Sequence, residues 1–430
     1  MMKKVYVRIE SVAFKGYGVA RIHGKVIFIP YAVTGDRGWI EIIEEKKKYS
    51  MGRFIQVVEP SPWRVNPQCP YFGRCGGCQW QHIDDSVHGE LKKEILREIL
   101  KRLGKVREIP PIRVISSPKS YAYRVRVQLK VKGKSMGYYQ EGTHRIVEID
   151  HCPISHPFVN QIIRNLREES VPFLHLEEIE INVSPEEERG VLLLHPHSLD
   201  QRIEEFSKSF LQRHPILRGI AVARKDGLGF FGDPYLNFTI PSNQGKEKRN
   251  LRFRISPGSF FQVNLEQNQR LIQTVLRFSE VNKGEKVLDL YAGAGNLTLP
   301  LAMGAEEVLG IDENGMAIED GRFNVERNGI QNGNFIHGKV EDVLKDFTKK
   351  PDLIVLDPPR TGCKPVLDQV VRLKPRKIVY VSCEPTTFSR DLHLFSERGY
   401  SLQGLDLIDM FPQTYHMEVI GLLQPSHDSG

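Results

Sequence analysis

The amino-acid sequence predicts an α/β protein whose carboxy-terminal part is a parallel sheet with helices on both faces. From about residue 270, short apolar segments alternate with segments of helical spacing, which is typical of parallel sheets. Residues 1 to about 60 contain short β-branched runs broken by glycines, and the middle of the chain is also rich in predicted strands. We therefore expect three domains, at residues 1–60, 61–250 and 251–430.

Length, charge and hydropathy agree with a nucleic-acid-associated globular protein. The chain has 430 residues, enough for two or three domains, and a net charge of +7 that mildly favours polyanionic partners. It has no run of about 18 uncharged apolar residues, so no membrane-spanning helix is expected. The amino terminus has charges too close together for a signal peptide. We expect a cytoplasmic protein, and the sequence indicates no obligate protein partner.

The first 60 residues predict a small β-barrel of the oligonucleotide-binding (OB) type. The strands are expected in VYVRIESVAF, VARIHGKVIFIP and GWIEIIEEKKKYSMGRFIQVVEP, with Gly16, Gly18, Gly24 and Gly35 at the breaks between them. Such barrels often bind single-stranded nucleic acid through a basic face and aromatic side chains. A β module without a nucleic-acid partner is equally compatible with this segment.

The middle region contains one strand with strict alternation, YRVRVQLKV, at residues 123–131. Its valines and leucine point to one face, and its arginines, glutamine and lysine point to the other. Arg124 and Arg126 are therefore candidates for contact with a nucleic-acid backbone. A solvated outer face would show the same alternation.

The cysteines of the first half predict a metal centre. The candidate ligands are Cys69, Cys75, Cys78 and Cys152. In a long intracellular chain such a cluster is more typical of metal binding than of disulfides. Zinc and a four-iron cluster would each need all four ligands, and the spacing C-x5-C-x2-C favours iron–sulfur. His82 and His151 are alternative ligands.

The segment VLDLYAGAGNLTLPLA predicts a strand, a glycine turn and a helix that together bind a nucleoside. Gly293 and Gly295 allow a ligand to approach the backbone closely. Asp289 precedes the turn and Asp312 ends the next strand, where acids contact ribose hydroxyls. Thr298 occupies the third glycine position of the dinucleotide fingerprint, so this pattern favours S-adenosylmethionine over a dinucleotide. Helix capping is the ordinary alternative for either acid.

Two further predicted strands end in residues suited to methyl transfer. Asp357 follows the apolar run LIVL and is followed by Pro-Pro-Arg. Amine methyltransferases of this fold usually have an aromatic residue where Arg360 stands, which disfavours nitrogen as the acceptor. Cys383 follows the next apolar run, IVYVS.

A cysteine at this edge is expected if the acceptor is carbon 5 of uracil. That carbon is a weak nucleophile until a thiolate adds to carbon 6, and a base must then remove the carbon-5 proton. Glu418, in the segment FPQTYHMEVI, is the candidate for this base. A buried structural cysteine and a surface glutamate are the ordinary alternatives.

Together these segments resemble the RNA (uracil-5-)methyltransferases of the iron–sulfur type. The motifs are GYGVARIHGKVIFIP, CPYFGRCGGCQWQH with CPI, FFQVNLEQNQ, LDLYAGAGNLTLPLA, DPPRTG, VYVSCEPTTFSRDL and DMFPQTYHMEVI. The resemblance implies an amino-terminal TRAM domain of OB type, a central α+β domain with an iron–sulfur site, and a class I (Rossmann-like) methyltransferase domain. It also implies that the helix near residues 90–105 packs against the methyltransferase domain.

The resemblance assigns expected roles to individual residues. Cys383 is implied as the nucleophile and Glu418 as the proton acceptor. Cofactor contacts are implied for Gln262, Tyr291, Gly293, Asn296, Asp312 and Asp357. A four-iron (4Fe-4S) cluster is implied on Cys69, Cys75, Cys78 and Cys152, and Cys363 matches no family role. Glu384 stands where the family usually has asparagine, and Asp312 where glutamate is more usual.

The predicted function is methylation of carbon 5 of a uridine that is flipped out of structured RNA. 23S rRNA is the expected substrate because iron–sulfur members of the family mostly act there, and tRNA is the alternative. The cluster is expected to be structural or RNA-positioning, since this reaction needs no electron. Two rivals are a nicotinamide-dependent oxidoreductase with an iron–sulfur cluster and an RNA-binding protein with an inactive methyltransferase domain.

Overall fold

The amino-terminal part of the chain forms a six-stranded sheet. The computed structural model describes residues 4–169, 175–198, 201–242 and 249–426. The six strands are β1 (Lys4–Arg8), β2 (Ser11–Val12), β3 (Gly18–Ile22), β4 (Lys25–Ile29), β5 (Arg37–Glu45) and β6 (Tyr49–Glu59). Their order is β1-β5-β6-β4-β3-β2, and alternate residues such as Ile27, Ile29 and Ile40 form a separate small core. The prediction of a small β domain is confirmed.

Helix α1 (His88–Arg102) and strand β7 (Ile112–Ile115) come next, and the central sheet follows them. The central strands are β8 (Arg126–Lys132), β9 (Ser135–Tyr139), β10 (Ile146–Glu148), β11 (Leu176–Ser184), β12 (Arg189–Pro196), β13 (Leu217–Arg224) and β14 (Gly227–Gly232). They pair in the order β10-β9-β8-β11-β12-β13-β14, with only β12 and β13 parallel among the described pairs. Helices α2 (Pro157–Glu168) and α3 (Gln201–Arg213) share the core of this sheet.

The alternation predicted at residues 123–131 is present in β8 and its approach. Val125, Val127, Leu129 and Val131 are buried in the central core. Apolar residues of a half-buried strand alternate in this way because successive side chains point to opposite faces. A separate hairpin of β15 (Leu236–Ser242) and β16 (Arg249–Ile255) links the central sheet to the carboxy-terminal part.

The carboxy-terminal part is an eight-stranded sheet flanked by helices. Its further strands are β17 (Lys286–Leu290), β18 (Glu307–Asp312), β19 (Gly333–His337), β20 (Leu353–Leu356), β21 (Lys377–Ser382), β22 (Tyr400–Ile408) and β23 (Glu418–Pro425). Its helices are α4 (Leu265–Ser279), α5 (Thr298–Ala302), α6 (Gly315–Arg327), α7 (Val340–Lys345), α8 (Leu367–Arg372) and α9 (Pro385–Ser396). The strand order is β19-β18-β17-β20-β21-β23-β22-β7.

This strand order determines where a ligand can bind, and one strand next to that position, β23, runs antiparallel to its neighbour β21. The chain runs outward from β17 to β19 and then returns to β20 on the other side of β17, so the carboxyl ends of β17 and β20 form a topological switch point. Strands β17 to β21 are parallel, whereas β23 is antiparallel to β21. The amino end of β23 therefore lies beside the carboxyl end of β21, and Val419 pairs with Ser382.

Helix α1 and strand β7 pack with the carboxy-terminal sheet although they precede the central one. β7 pairs in parallel with β22, and Leu91 and Ile95 of α1 are buried in the core that contains β17 to β21. The boundaries expected at residues 60 and 250 stay a prediction, and this packing crosses the second of them. No helix among the described residues is long and apolar enough to cross a lipid bilayer.

Candidate active site

Four residues with acidic or thiol side chains lie where the parallel strands of the carboxy-terminal sheet end. Asp312 ends β18, Asp357 follows β20 directly, and Cys383 follows β21 directly. Glu418 begins β23, which runs in the opposite direction and so brings this carboxyl group to the same edge. The sheet register thus brings together residues that are more than 100 positions apart in the sequence.

The glycine turn after β17 is bonded to the end of β18. The backbone N–H of Gly293 donates to Oδ2 of Asp312 at 2.8 Å, and that of Asn314 donates to Oδ1 at 2.8 Å. Tyr291, Gly293 and Gly295 all have positive φ angles, of 65°, 54° and 89°. The side chain of Asp312 therefore fixes the turn.

Asp289 is bound to the helix that follows the turn. The Thr298 hydroxyl donates to its Oδ2 at 2.6 Å, and the carboxyl group is fully buried. Burial is the main reason that the pKa of Asp289 rises to about 7. The helix-fixing alternative considered for this residue matches its contacts.

A cavity beside the glycine turn collects most of the residues expected to contact a cofactor. Five of the six line it: Gln262, Tyr291, Gly293, Asn296 and Asp357. Asn268 of α4 also lines the cavity, and the Asn268 and Asn296 side chains exchange two hydrogen bonds of 2.8 and 2.9 Å. Asn268 could not be identified from the sequence, because its position opposite Asn296 is set by the packing of α4.

The half-buried thiol of Cys383 lies among charged groups. Burial, together with the carboxylates of Glu418 and Asp357, raises the pKa of this thiol to about 12, while the Arg360 guanidinium opposes the increase. Burial and then Asp357 also raise the pKa of Glu418 well above its usual range, again against Arg360. Thiol, carboxyl and guanidinium groups are therefore close enough to control one another's ionisation.

Asp357 and Arg360 complete this group. The Asp357 residue is partly exposed to solvent. Desolvation of its carboxyl group, and then the negative charge of Asp312, raise its pKa to about 7. Arg360 was used in the sequence analysis only to disfavour nitrogen methylation. Its place beside Cys383 could have been suspected from its position three residues after a strand-end acid, since ligands bind at such ends.

The four predicted cluster cysteines line one further cavity of about 320 Å³. Cys69, Cys75, Cys78 and Cys152 are lining residues, as are Arg124, His151, Arg360 and His416. Burial raises the pKa of Cys75 to about 11 and of Cys78 to about 12, and the nearby Cys152 adds to both. Within the described ranges, no three His, Cys, Asp or Glu side chains converge closely enough to hold a single metal ion.

The two histidines named as alternative ligands differ in position. His151 lines the cysteine cavity. His82 instead packs against Tyr31 and Phe72, with ring centroids 6.1 and 5.5 Å away. Burial lowers the pKa of His82 to about 3.

The candidate arginines of the central sheet have different surroundings. Arg126 forms an ion pair of 2.8 Å with Glu180 on the neighbouring strand β11. Arg124 lines the cysteine cavity, and its Nε donates to the carbonyl of Arg126 at 2.9 Å. The basic face of β8 is thus partly neutralised by acids of β11, which the sequence of β8 alone could not indicate.

Glu384 and Cys363 have structural contacts. The Glu384 carboxylate caps α9 by accepting from the Thr386 N–H at 3.3 Å and from its hydroxyl at 2.5 Å. The backbone N–H of the buried Cys363 donates to Asp391 at 2.8 Å. An acidic cap can therefore replace the usual asparagine beside Cys383.

Comparison with known proteins identifies the family. The family model described as tRNA (uracil-5-)-methyltransferase matches residues 87–425, and the TRAM-domain model of tRNA (uracil(54)-C(5))-methyltransferase matches residues 5–63. An RNA methyltransferase from Aquifex aeolicus is 35% identical, with 98% of this chain and 99% of the relative covered. The 23S rRNA (uracil(1939)-C(5))-methyltransferase RlmD of Pectobacterium atrosepticum is 32% identical, with 100% and 95% covered.

A solved structure supports the same assignment. It is that of the tRNA (uracil-54, C5)-methyltransferase of Pyrococcus abyssi in complex with S-adenosyl-L-homocysteine. It is 27% identical, has a TM-score of 0.74, and aligns over 97% of this chain and 99% of its own. The family match favours a methyltransferase over the oxidoreductase that was considered as a rival. The chain belongs to the tRNA (uracil-5-)-methyltransferase family and is an S-adenosylmethionine-dependent RNA (uracil-5-)-methyltransferase.

Proposed function

We propose that this enzyme methylates carbon 5 of a uridine in 23S rRNA through a covalent adduct between Cys383 and carbon 6 of the base. The observation that carries the proposal is the arrangement of Cys383, Glu418 and Arg360 next to Asp357, which also lines the cavity of the glycine turn. This reaction requires a nucleophile and a base, and Cys383 and Glu418 offer these two groups at the same end of the sheet.

The proposed reaction begins with loss of the thiol proton to solvent and addition of the Cys383 thiolate to carbon 6. Carbon 5 of the resulting enolate attacks the methyl group of S-adenosylmethionine, and S-adenosylhomocysteine leaves. The carboxylate of Glu418 removes the proton from carbon 5. The electron pair of that C–H bond re-forms the ring double bond and expels the thiolate, which frees both enzyme and product.

The electrostatics of the site support these roles. Arg360 lowers the pKa of both Cys383 and Glu418, so it favours the two anions that the reaction needs. The Glu418 carboxylate opposes ionisation of the Cys383 thiol, and the positive charge of Arg360 counteracts this effect. Once ionised, the buried Glu418 is a stronger base than an exposed carboxylate, because burial raises its pKa.

The cofactor roles rest on positions around the glycine turn. We assign Asp312 to the ribose hydroxyls. It ends the strand next to the glycine turn, and its carboxylate accepts a hydrogen bond from the Gly293 N–H of that turn. Gln262, Tyr291, Asn296 and Asp357 are assigned to the rest of the cofactor, because they line the same cavity. The RlmD relative supports ribosomal RNA as the substrate. The RNA would be bound in the cytoplasm, and Arg124 and Arg126 are assigned to its backbone.

We further propose that Cys69, Cys75, Cys78 and Cys152 hold a 4Fe-4S cluster. Four thiols line one cavity, and about 320 Å³ is room for a group larger than one ion. Such a cluster would fix the loop that carries three of the cysteines. The measurement is the iron and sulfide content of anaerobically purified protein, in which Cys78→Ser is expected to lower both. Absence of iron and sulfide from the unmodified protein would contradict the assignment.

A trapping assay tests the covalent mechanism. Protein and S-adenosylmethionine are incubated with 5-fluorouridine-substituted RNA and then separated on a denaturing gel. Fluorine cannot be removed as a proton, so the unmodified enzyme should accumulate an adduct. Cys383→Ala should form none, whereas the matched variant Cys363→Ala should form it. Absence of an adduct from protein shown to bind S-adenosylmethionine would overturn the covalent mechanism.

The same assay separates the two candidate RNAs. The Pyrococcus abyssi structure belongs to a tRNA enzyme, so tRNA is the second candidate. 23S rRNA fragments and tRNA are supplied in separate reactions at equal uridine concentration. Preferential adduct formation with rRNA supports the proposal, and preference for tRNA replaces it with the alternative. An adduct that contains a methyl group from radiolabelled S-adenosylmethionine, with either RNA, excludes an inactive methyltransferase domain.

A further inference from the structure

We infer that Tyr123 and Lys92 are positioning residues that hold the backbone of residues 409–413 and thereby place Glu418 for proton removal. This inference rests on the proposed role of Glu418. Neither residue was identified in the sequence analysis as having a part in catalysis. The two residues lie about 290 and 320 positions before the segment that they hold.

Five consecutive backbone carbonyls in this segment accept hydrogen bonds from remote parts of the chain. The donors are Gln267 Nε2 to Asp409 (3.0 Å), Asn264 Nδ2 to Met410 (3.3 Å), Lys92 Nζ to Phe411 (3.2 Å), the Tyr123 hydroxyl to Pro412 (3.0 Å), and the N–H groups of Gln79 and Trp80 to Gln413 (3.2 and 3.0 Å). We call these donors the carbonyl clamp. They come from the cysteine loop, α1, the approach to β8, and α4 with its cap.

The clamp is needed because this connection is buried. Asp409, Met410, Gln413 and Thr414 have relative exposures of 5%, 0%, 2% and 2%. A connection between strands normally runs over the surface, where water satisfies its carbonyl groups. A buried backbone carbonyl must instead find a protein donor or ordered water, and each of these five has a protein donor.

Lys92 holds two points of the segment at once. Its Nζ lies 2.6 Å from Oδ1 of Asp409, and both side chains are almost fully buried. The same nitrogen donates to the carbonyl of Phe411. A buried ammonium is costly unless it is paired and hydrogen-bonded, so this pair strongly favours one geometry of the segment.

The clamped segment leads directly to the reacting groups. Thr414 and His416 line the cavity that Arg360 also lines, and Glu418 begins β23 four residues after Thr414. The Thr414 hydroxyl turns back to the Phe411 carbonyl at 2.8 Å, so the clamped part and the cavity part are joined. A small displacement at Pro412 would therefore move the approach to Glu418, whereas Cys383, which follows β21, lies outside the clamped connection.

This separation gives a distinctive prediction for Tyr123→Phe. The variant keeps the ring and removes only the hydroxyl that donates to Pro412. Cys383 should still add to the base and the methyl group should still be transferred. Removal of the carbon-5 proton should slow by about tenfold to a hundredfold, the size expected for a misplacement on the order of 1 Å. Covalent enzyme–RNA adduct should then accumulate with ordinary uridine RNA.

Tyr400→Phe is the matched control. The Tyr400 hydroxyl donates to the carbonyl of Pro375 at 2.8 Å, so the same group is removed from the same kind of bond. Tyr400 pairs with Pro425, and Ile408 pairs with Glu418. Tyr400 therefore lies at the end of β22 that is farther from Glu418. This variant should turn over at the rate of the unmodified enzyme, without accumulated adduct.

The assay measures, on the full-length protein, the burst of methyl transfer, the steady-state rate and the fraction of enzyme in the adduct. A lower steady-state rate with a normal burst and accumulated adduct supports positioning. A proportional fall of burst and steady-state rate, or no change, overturns the inference. The double variant Lys92→Met with Asp409→Asn gives a second test at a different carbonyl. If the unmodified enzyme forms no adduct even with 5-fluorouridine RNA, the proposed function fails instead.

Discussion

The two reacting groups of the active site are held in different ways. Cys383 follows β21 directly, one residue after Ser382, which pairs with Val419 of β23. Glu418 pairs with Ile408 of β22, and it follows a buried connection whose carbonyls are bonded by side chains and N–H groups from distant segments. The difference suggests that nucleophilic addition tolerates remote changes better than proton removal does.

The largest effect is expected from Cys383→Ala. Loss of the nucleophile removes the route to the enolate, so methylation should fall by about 10⁴-fold or more. The folded structure should change little, because the thiol is half-buried and alanine is smaller. Radiolabelled methyl transfer to RNA measures the rate, and the melting temperature serves as the control. Residual methylation within tenfold of the unmodified enzyme would show that the reaction does not need this thiol.

Glu418→Gln should act on the other half of the reaction. Glutamine has nearly the same shape but is not a base, so one methyl group should be transferred per enzyme and then retained in the adduct. Release should slow by about 10² to 10⁴-fold, the usual contribution of a positioned base. A burst of one methyl group per active site, with a stable band on a denaturing gel, is the expected result. Normal turnover would mean that another group removes the proton.

Asp312→Asn should affect cofactor binding and leave both reacting groups in place. Loss of one charged hydrogen bond costs about 1.5 kcal/mol or more, which weakens affinity for S-adenosylmethionine roughly tenfold. At saturating cofactor, adduct formation should recover. Asp312→Glu keeps the charge and corresponds to the more usual residue of the family, so it should bind the cofactor more tightly than the asparagine variant. Calorimetric titration with S-adenosylhomocysteine measures both affinities.

The half of the site that lies at the strand ends, which we call the sheet-derived half, could be predicted from the sequence. The half that depends on the carbonyl clamp could be predicted only in part. Asp312, Asp357 and Cys383 each follow an apolar run, and the ends of parallel strands meet at one edge. The clamp could not be predicted, because Tyr123 meets Pro412 only through contacts between residues almost 290 positions apart. Local patterns report the exposure of a single strand, whereas these contacts depend on how α1, β7 and the central sheet pack together.

The role of Arg360 and the Asn268–Asn296 pair were missed for a related reason. Arg360 lies in a loop after a strand, where the sequence gives the residue type but not the direction of its side chain. Asn268 lies on α4, and its partner follows the glycine turn 28 positions later. An amide on a helix is usually solvent-exposed, so nothing in the spacing indicated a buried reciprocal pair.

The smallest effect is expected from Asp289, on the pH dependence of stability. This residue lies on β17, so only the sheet-derived half of the site is involved. The pKa of Asp289 is raised from 3.8 to about 7 by burial, so the folded protein holds this proton more tightly than the unfolded chain does. The contribution of this group to stability is therefore present below pH 4 and is lost as pH rises towards 7. The shift corresponds to about 4 kcal/mol.

Asp289→Asn removes the titrating group while its amide oxygen can still accept from Thr298. The free energy of unfolding, measured with denaturant at pH 5 and pH 8, should differ less in this variant than in the unmodified enzyme. The variant is expected to be less stable at pH 5, because the new amide hydrogens have no partner at the position where Oδ1 is now unpaired. Adduct accumulation on ordinary RNA should stay at the level of the unmodified enzyme, since the Asp289 side chain is bonded to Thr298 of α5 and not to the clamp. An adduct that accumulates in Asp289→Asn would mean that the two halves of the site are coupled through the sheet, and the distinction between them would fail.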